Sequence, residues 1–133
     1  MPAPRALALV TSVIYPGRIE HIRIVRADLR AVLHGCPMAD DVILCASELA
    51  ANAATHSRSR LPGGTFTVRA KISPGDCAWI EVEDDGGLKS PGLRDVAGRH
   101  GLDIVRALAT DWGIGGDPTA RTIWARFDWP DSV

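Results

Sequence analysis

The sequence predicts an α/β two-layer sandwich, a mostly antiparallel sheet covered on one face by helices. Two kinds of segment carry that prediction. Thr65 to Ile72, Ala78 to Asp84 and Thr122 to Trp129 alternate apolar and polar residues, as strands with one buried face do. Between and before them, apolar residues recur at steps of three and four, which marks helices with one buried stripe. One-faced strands need a cover, and one-striped helices supply it.

The elements follow in order. Ala6 to Ile14 is apolar and β-branched enough for a first strand, and Tyr15-Pro16-Gly17 breaks it. From Ile19 to Leu33, the residues Ile22, Val25, Leu29 and Leu33 form a helical stripe. Gly35 and Pro37 stop that helix. A second helix is expected from about Ala39 to about Thr55, with Val42, Cys45, Leu49 and Ala53 as its apolar face. Its Ala50-Ala51 and Ala53-Ala54 pairs favour helix and permit close packing. Ser57 to Gly64 is a polar turn, and Ser73-Pro74-Gly75-Asp76 is the turn between the next two strands. In the second of these, Ala78, Ile80 and Val82 share a parity, and Asp84 falls on it. Gly86 to Gly98 reads as a loop with a short helix at Leu93 to Ala97. Leu102, Val105 and Leu108 mark a third helix. Asp111 to Ile114 reads as a short strand, Gly115 to Thr119 as a turn, and Thr122 to Trp129 as the last strand.

Length and composition narrow the classes. A chain of 133 residues suits one domain, 1–133, with one core. A formal net charge of −1 gives no reason to expect nucleic acid or membrane as the main partner. An aromatic content of 5% argues against a stacking platform for single strands. There is no run of about 18 apolar residues to span a membrane. Pro2 and Pro4 interrupt the N-terminal apolar stretch, which reads as mature sequence rather than a signal peptide. Cys36, Cys45 and Cys77 are odd in number and lack zinc-site spacing, so idle thiols in a reducing cytoplasm are the simplest account. Arg18, Arg23, Arg26 and Arg30 read first as the solvated face of a helix, and second as a docking surface for an acidic protein.

Three stretches carry the chemistry. Glu48, Asn52 and His56 are spaced by four on the second helix, so they stack along one face. An amide oxygen is a neutral, hard ligand for Mg²⁺, and a carboxylate one turn away can deprotonate an attacking hydroxyl. The bland alternative is a polar face, with His56 stabilising the helix C-terminus. Asp84 is the second signal. Burying a carboxylate needs a partner, which is either protein or a ligand amine such as that of adenine. Gly86-Gly87 lets the backbone turn sharply beside it and admits a flat ring. Third, Gly98-Arg99-His100-Gly101-Leu102 opens the third helix, where backbone N–H groups can hold phosphate. Arg94 or Arg99 could pair with the γ-phosphate. Neither a Walker A motif nor a dinucleotide glycine motif is present.

In this order, the three stretches resemble the GHKL ATPase superfamily, which shares the Bergerat nucleotide fold with gyrase and the histidine kinases. Within it the chain looks most like the small anti-sigma factor serine kinases, especially the short actinobacterial-type ATP-binding regulators. The resemblance runs from about Tyr15 to Trp129 and also takes in Tyr15-Pro16-Gly17 and Thr122-Ile123-Trp124-Ala125. It implies that Glu48 is the general base and that Asn52 is the Mg²⁺ ligand. It places Asp84 at the adenine-recognising aspartate, with Gly86 near the ring. Gly98 and Gly101, followed by Leu102, fall at the phosphate-facing end of the ATP lid. Arg94 and Arg99 are the candidates for the basic γ-phosphate contact, and Thr122 is a candidate phosphate contact from the last strand. Many relatives carry Gly-Thr before that strand, whereas Ala120-Arg121-Thr122 stands here.

The resemblance further implies ATP and Mg²⁺ as cofactors, a homodimer and a cytoplasmic location. The activity it implies is that of an anti-sigma-type serine/threonine kinase. Such a kinase phosphorylates an anti-anti-sigma partner of the STAS class and can sequester a sigma factor. The alternative is an ATP-dependent protein-binding switch without phosphotransfer. These residues hold no phosphoacceptor-histidine hairpin, so a full sensor histidine kinase is not expected.

Overall fold

Each periodic stripe in the sequence becomes a buried face. The computed structural model describes residues 8–86, 100–117 and 119–131. Among these residues five strands form one sheet: β1 (Leu9–Pro16), β2 (Thr65–Ser73), β3 (Cys77–Asp84), β4 (Asp111–Asp117) and β5 (Ala120–Asp128). Their order is β1-β2-β3-β5-β4, and every pairing is antiparallel. Among the described residues three helices, α1 (Ile22–Val32), α2 (Ala39–His56) and α3 (His100–Leu108), cover one face. Short 3₁₀ turns stand at Ile19–His21 and Arg58–Arg60. No helix among the described residues is long and apolar enough to cross a membrane.

Four residues of the α1 stripe, Ile22, Val25, Leu29 and Leu33, are all buried. Each such aliphatic side chain contributes about 1.5–3 kcal/mol relative to full exposure. α2 buries more than one stripe. Ile43, Ala46, Ser47, Ala50 and Ala54 are buried along with the four residues of its expected apolar face. The helix packs against β2 and β3 on one side and against α1 and α3 on others. Its alanines allow those close approaches. Buried Ser47 is satisfied twice: its hydroxyl donates to the Ile43 carbonyl at 2.7 Å and accepts from Arg26 Nε at 3.0 Å.

Several boundaries differ from the sequence expectation, and β5 runs Ala120–Asp128 rather than Thr122 to Trp129. β1 continues through Tyr15 and Pro16 instead of ending before them. Tyr15 pairs with Phe66 across the ladder, and their rings stack at 5.6 Å. Pro16 is tolerated because β1 is an edge strand, where a missing N–H costs no ladder bond. Likewise, β4 runs to Asp117, which pairs with Ala120, so the turn is shorter than Gly115 to Thr119. Gly116 adopts φ 92°, which suits glycine. The expected short helix at Leu93 to Ala97 lies outside the described residues.

Tyr15 also ties the sheet to α1, donating its hydroxyl to Asp28 Oδ2 at 2.7 Å. Gly17 explains the break that follows. A Cβ there would stand 1.7 Å from the Ser59 carbonyl oxygen, so only glycine fits the approach of the two segments. On the face away from the helices, Trp79 and Trp124 stack with centroids 4.6 Å apart. Gly113 makes room for Trp124, since a Cβ would lie 2.7 Å from its Nε1.

Two stability predictions follow from these contacts. Gly17→Ala should destabilise the fold by more than about 2 kcal/mol, measured by urea unfolding, because backbone must move to admit the methyl group. The second concerns pH. Burial, then the hydrogen bond and charge of Asp28, push the Tyr15 phenol above its ordinary value of 10.0. The folded state therefore holds that proton more tightly than the unfolded chain. The contribution is complete below about pH 10 and is lost as pH rises above it. Urea unfolding between pH 8 and 11 (from about two units below the ordinary phenol value to about one above it) should show a steeper loss for the wild type than for Tyr15→Phe.

Candidate functional site

The site is built where the C-terminal end of α2 meets the end of β3. Ser57 Oγ donates to the Ala53 carbonyl at 2.7 Å and accepts from Ser59 N at 3.0 Å, which turns the chain out of the helix. Ser59 Oγ then accepts from Asp85 N at 3.0 Å, and Arg58 N donates to the Gly86 carbonyl at 2.7 Å. Both serines are fully buried. These bonds clamp the helix end to the segment that leaves β3.

Glu48 and Asn52 are half-buried on α2, and His56 at its end is exposed. Asn52 Nδ2 is buried and has no hydrogen-bond partner. A buried, unsatisfied amide is costly, and an arriving ligand can relieve it. Just inside, Cys45 is fully buried. Burial first, then the charges of Asp41 and Glu48, push its thiol up to about 12, so it is a packing residue rather than a nucleophile. Cys36 and Cys77 are likewise pushed up by burial.

Asp84 lies on the buried parity of β3, as expected, and is only 4% exposed. It has two protein partners. Oδ1 accepts from Gly86 N at 2.8 Å, which holds Gly86 in a turn with φ 78°. Oδ2 accepts from Arg121 Nη2 at 2.8 Å. Arg121 stands directly opposite Asp84 in the β3–β5 register. A carboxylate offers about four acceptor positions, so two remain for a ligand.

Sequence reading missed Arg121, although a signal was present. Ile123, Ala125 and Phe127 are buried, and stepping back by two from Ile123 reaches Arg121 on the same face. Thr122, by the same alternation, projects to the opposite face, in register with Glu83. The β5 residue that reaches Asp84 is Arg121. Leu102, on α3, is fully buried in the core. Gly101 lies in the first turn of α3. Arg94, Gly98 and Arg99 lie outside the described residues.

The donor set can be tested against a metal ion. Among the described residues no group of three or more His, Cys, Asp or Glu could hold one. A dedicated protein cage is thus not present there. Mg²⁺ does not need one, because it keeps several waters and binds through one or two protein groups plus substrate phosphates. The unsatisfied amide of Asn52 fits that role, since its oxygen and nitrogen exchange places by a simple flip.

No curated protein matches the chain in sequence. The chain is similar to the crystal structure of the RsbU and RsbW domains of Rv1364c from Mycobacterium tuberculosis, with a TM-score of 0.72 at 21% identity. That likeness covers 97% of this chain and 34% of the other, so this chain spans about a third of its neighbour's length. It speaks for a shared fold. The histidine kinase-like ATPase domain matches residues 15–127, from the β1 tyrosine to the last buried residue of β5. With most of its length inside that match, the chain belongs to the histidine kinase-like ATPase domain family.

Proposed function

We propose that this chain is an ATP-binding regulatory protein that acts as an anti-sigma-type serine/threonine kinase. The observation that carries the reading is the unsatisfied buried amide of Asn52, one helical turn from Glu48 and on the helix clamped to the Asp84 strand end. In this reading Asp84 accepts from the exocyclic amine of adenine, and Gly86 leaves space for the ring. Asn52 is the protein ligand of Mg²⁺, which when bound neutralises charge on the phosphate oxygens. Arg94 or Arg99, with the backbone at Gly98 and Gly101, meets the phosphates.

Glu48 takes the proton of a serine or threonine hydroxyl on the partner. The hydroxyl oxygen bonds to the γ-phosphorus, the bridging bond to the β-phosphate breaks, and ADP leaves. The partner is an anti-anti-sigma protein of the STAS class, and a sigma factor is the second protein bound. The working unit is a homodimer in the cytoplasm. Family membership supports the nucleotide part of this reading, and the spacing of Glu48 and Asn52 supports the transfer step.

The reading is tested by calorimetry and partner phosphorylation together. Asp84→Asn should weaken ATP binding about tenfold or more, a loss of roughly 1.4 kcal/mol. Asn52→Ala should abolish the dependence of ATP binding on Mg²⁺. Glu48→Ala should retain ATP binding and lose transfer to a STAS partner by about 10²–10⁴-fold. Unchanged transfer by Glu48→Ala would remove the base role. ATP binding without transfer by the wild type would leave a nucleotide-driven protein-binding switch.

A further inference from the structure

The proposed nucleotide site holds a residue whose chemistry is half used. Arg121 is 12% exposed at its side chain and sits on the inward face of β5, at a position otherwise continued by Ile123, Ala125 and Phe127. Its Nη2 donates to Asp84 Oδ2 at 2.8 Å, while its Nε is buried and bonds to nothing. In a guanidinium, Nε–H and the neighbouring Nη–H form one edge of a fork and point the same way. A carboxylate usually takes both. Asp84 takes only one, and its other oxygen accepts from Gly86 N at 2.8 Å. A free N–H donor is therefore left beside an acceptor with unused lone pairs, and both are withdrawn from solvent.

We infer that Arg121 is a specificity-determining residue that reads the base together with Asp84. The inference rests on the nucleotide reading above. The pair offers an acceptor and a donor side by side. Its complement is a ring edge with a donor next to an acceptor. Adenine has that pattern, with its 6-amino group flanked by ring nitrogens. Asp84 accepts from the amine, and Arg121 Nε donates to the neighbouring ring nitrogen while Nη2 keeps Asp84 in place. The orphaned Nε then gains its partner on binding, and the ion pair need not break.

The test is calorimetric titration of the wild type, Arg121→Lys and Arg121→Met with ATP, 1-deaza-ATP and 7-deaza-ATP. Each analogue replaces one ring nitrogen next to the amine by CH. In the wild type one analogue should bind about tenfold more weakly than ATP, as expected for one lost hydrogen bond in a buried site. In both variants that penalty should shrink to within about twofold, because neither retains the Nε donor. Thermal melts followed by circular dichroism establish that the variants are folded. If Arg121→Met fails to fold, Arg121→Lys, which keeps a charge opposite Asp84, carries the comparison. An equal analogue penalty in all three proteins, or none in the wild type, overturns the role of Arg121 while leaving ATP binding intact. Tighter ATP binding by either variant also overturns it, since Arg121 would then be an obstacle. Failure of the folded wild type to bind ATP overturns the nucleotide pocket itself and this role with it.

Discussion

Burial of α2 on most of its circumference is the constraint from which the rest of the architecture follows. Nine of its residues are buried, among them four alanines, and it touches the sheet, α1 and α3. A helix in that position cannot shift without opening several interfaces at once, because interiors are close-packed. Glu48 and Asn52 occupy the strip that remains half-exposed. Their spacing relative to the sheet is therefore set by core packing and not by their own contacts. Such support from rigid elements is what the proposed roles of Glu48 and Asn52 require.

The second constraint is local. Ser57 satisfies the Ala53 carbonyl that the helix end would otherwise leave unpaired, and Ser59 Oγ and Arg58 N then join the segment after α2 to Asp85 and Gly86. The same turn receives the backbone of Gly17 and Gly64, neither of which has space for a Cβ beside the Ser59 carbonyl. Three chain segments thus meet at one serine. The proposed adenine end of the site shares its foundation with the exit from β1.

Much of the fold was legible because periodicity reports burial directly. Ile22, Val25, Leu29 and Leu33 were readable as one stripe, and Phe66, Val68, Ala70 and Ile72 as one face, since one side of each element meets the core. Asp84 was legible as a buried carboxylate for the same reason. α2 was read too narrowly: a helix enclosed on several sides has no single stripe, and its alanines blur the pattern. Arg121 was missed because an arginine next to a turn is normally solvated. Its burial depends on facing Asp84, and register across two strands is a tertiary fact. Tyr15 and Pro16 looked like a strand break because their place in β1 depends on β2 pairing on one side only.

β5 carries its two most unusual side chains on opposite faces, three residues apart. Arg121 points toward the helices and Asp84, while Trp124 lies outside, stacked on Trp79 at 6° between ring planes. Two indoles held nearly parallel at 4.6 Å interact electronically as well as by packing. The protein therefore carries its own optical reporter on the two strands that also hold the Asp84–Arg121 pair. It reads the β3–β5 ladder from the side that the proposed ligand does not touch. A change in the optical signal of this indole pair on nucleotide addition would mean that the ladder itself has moved, whereas local filling of the proposed site would leave it silent.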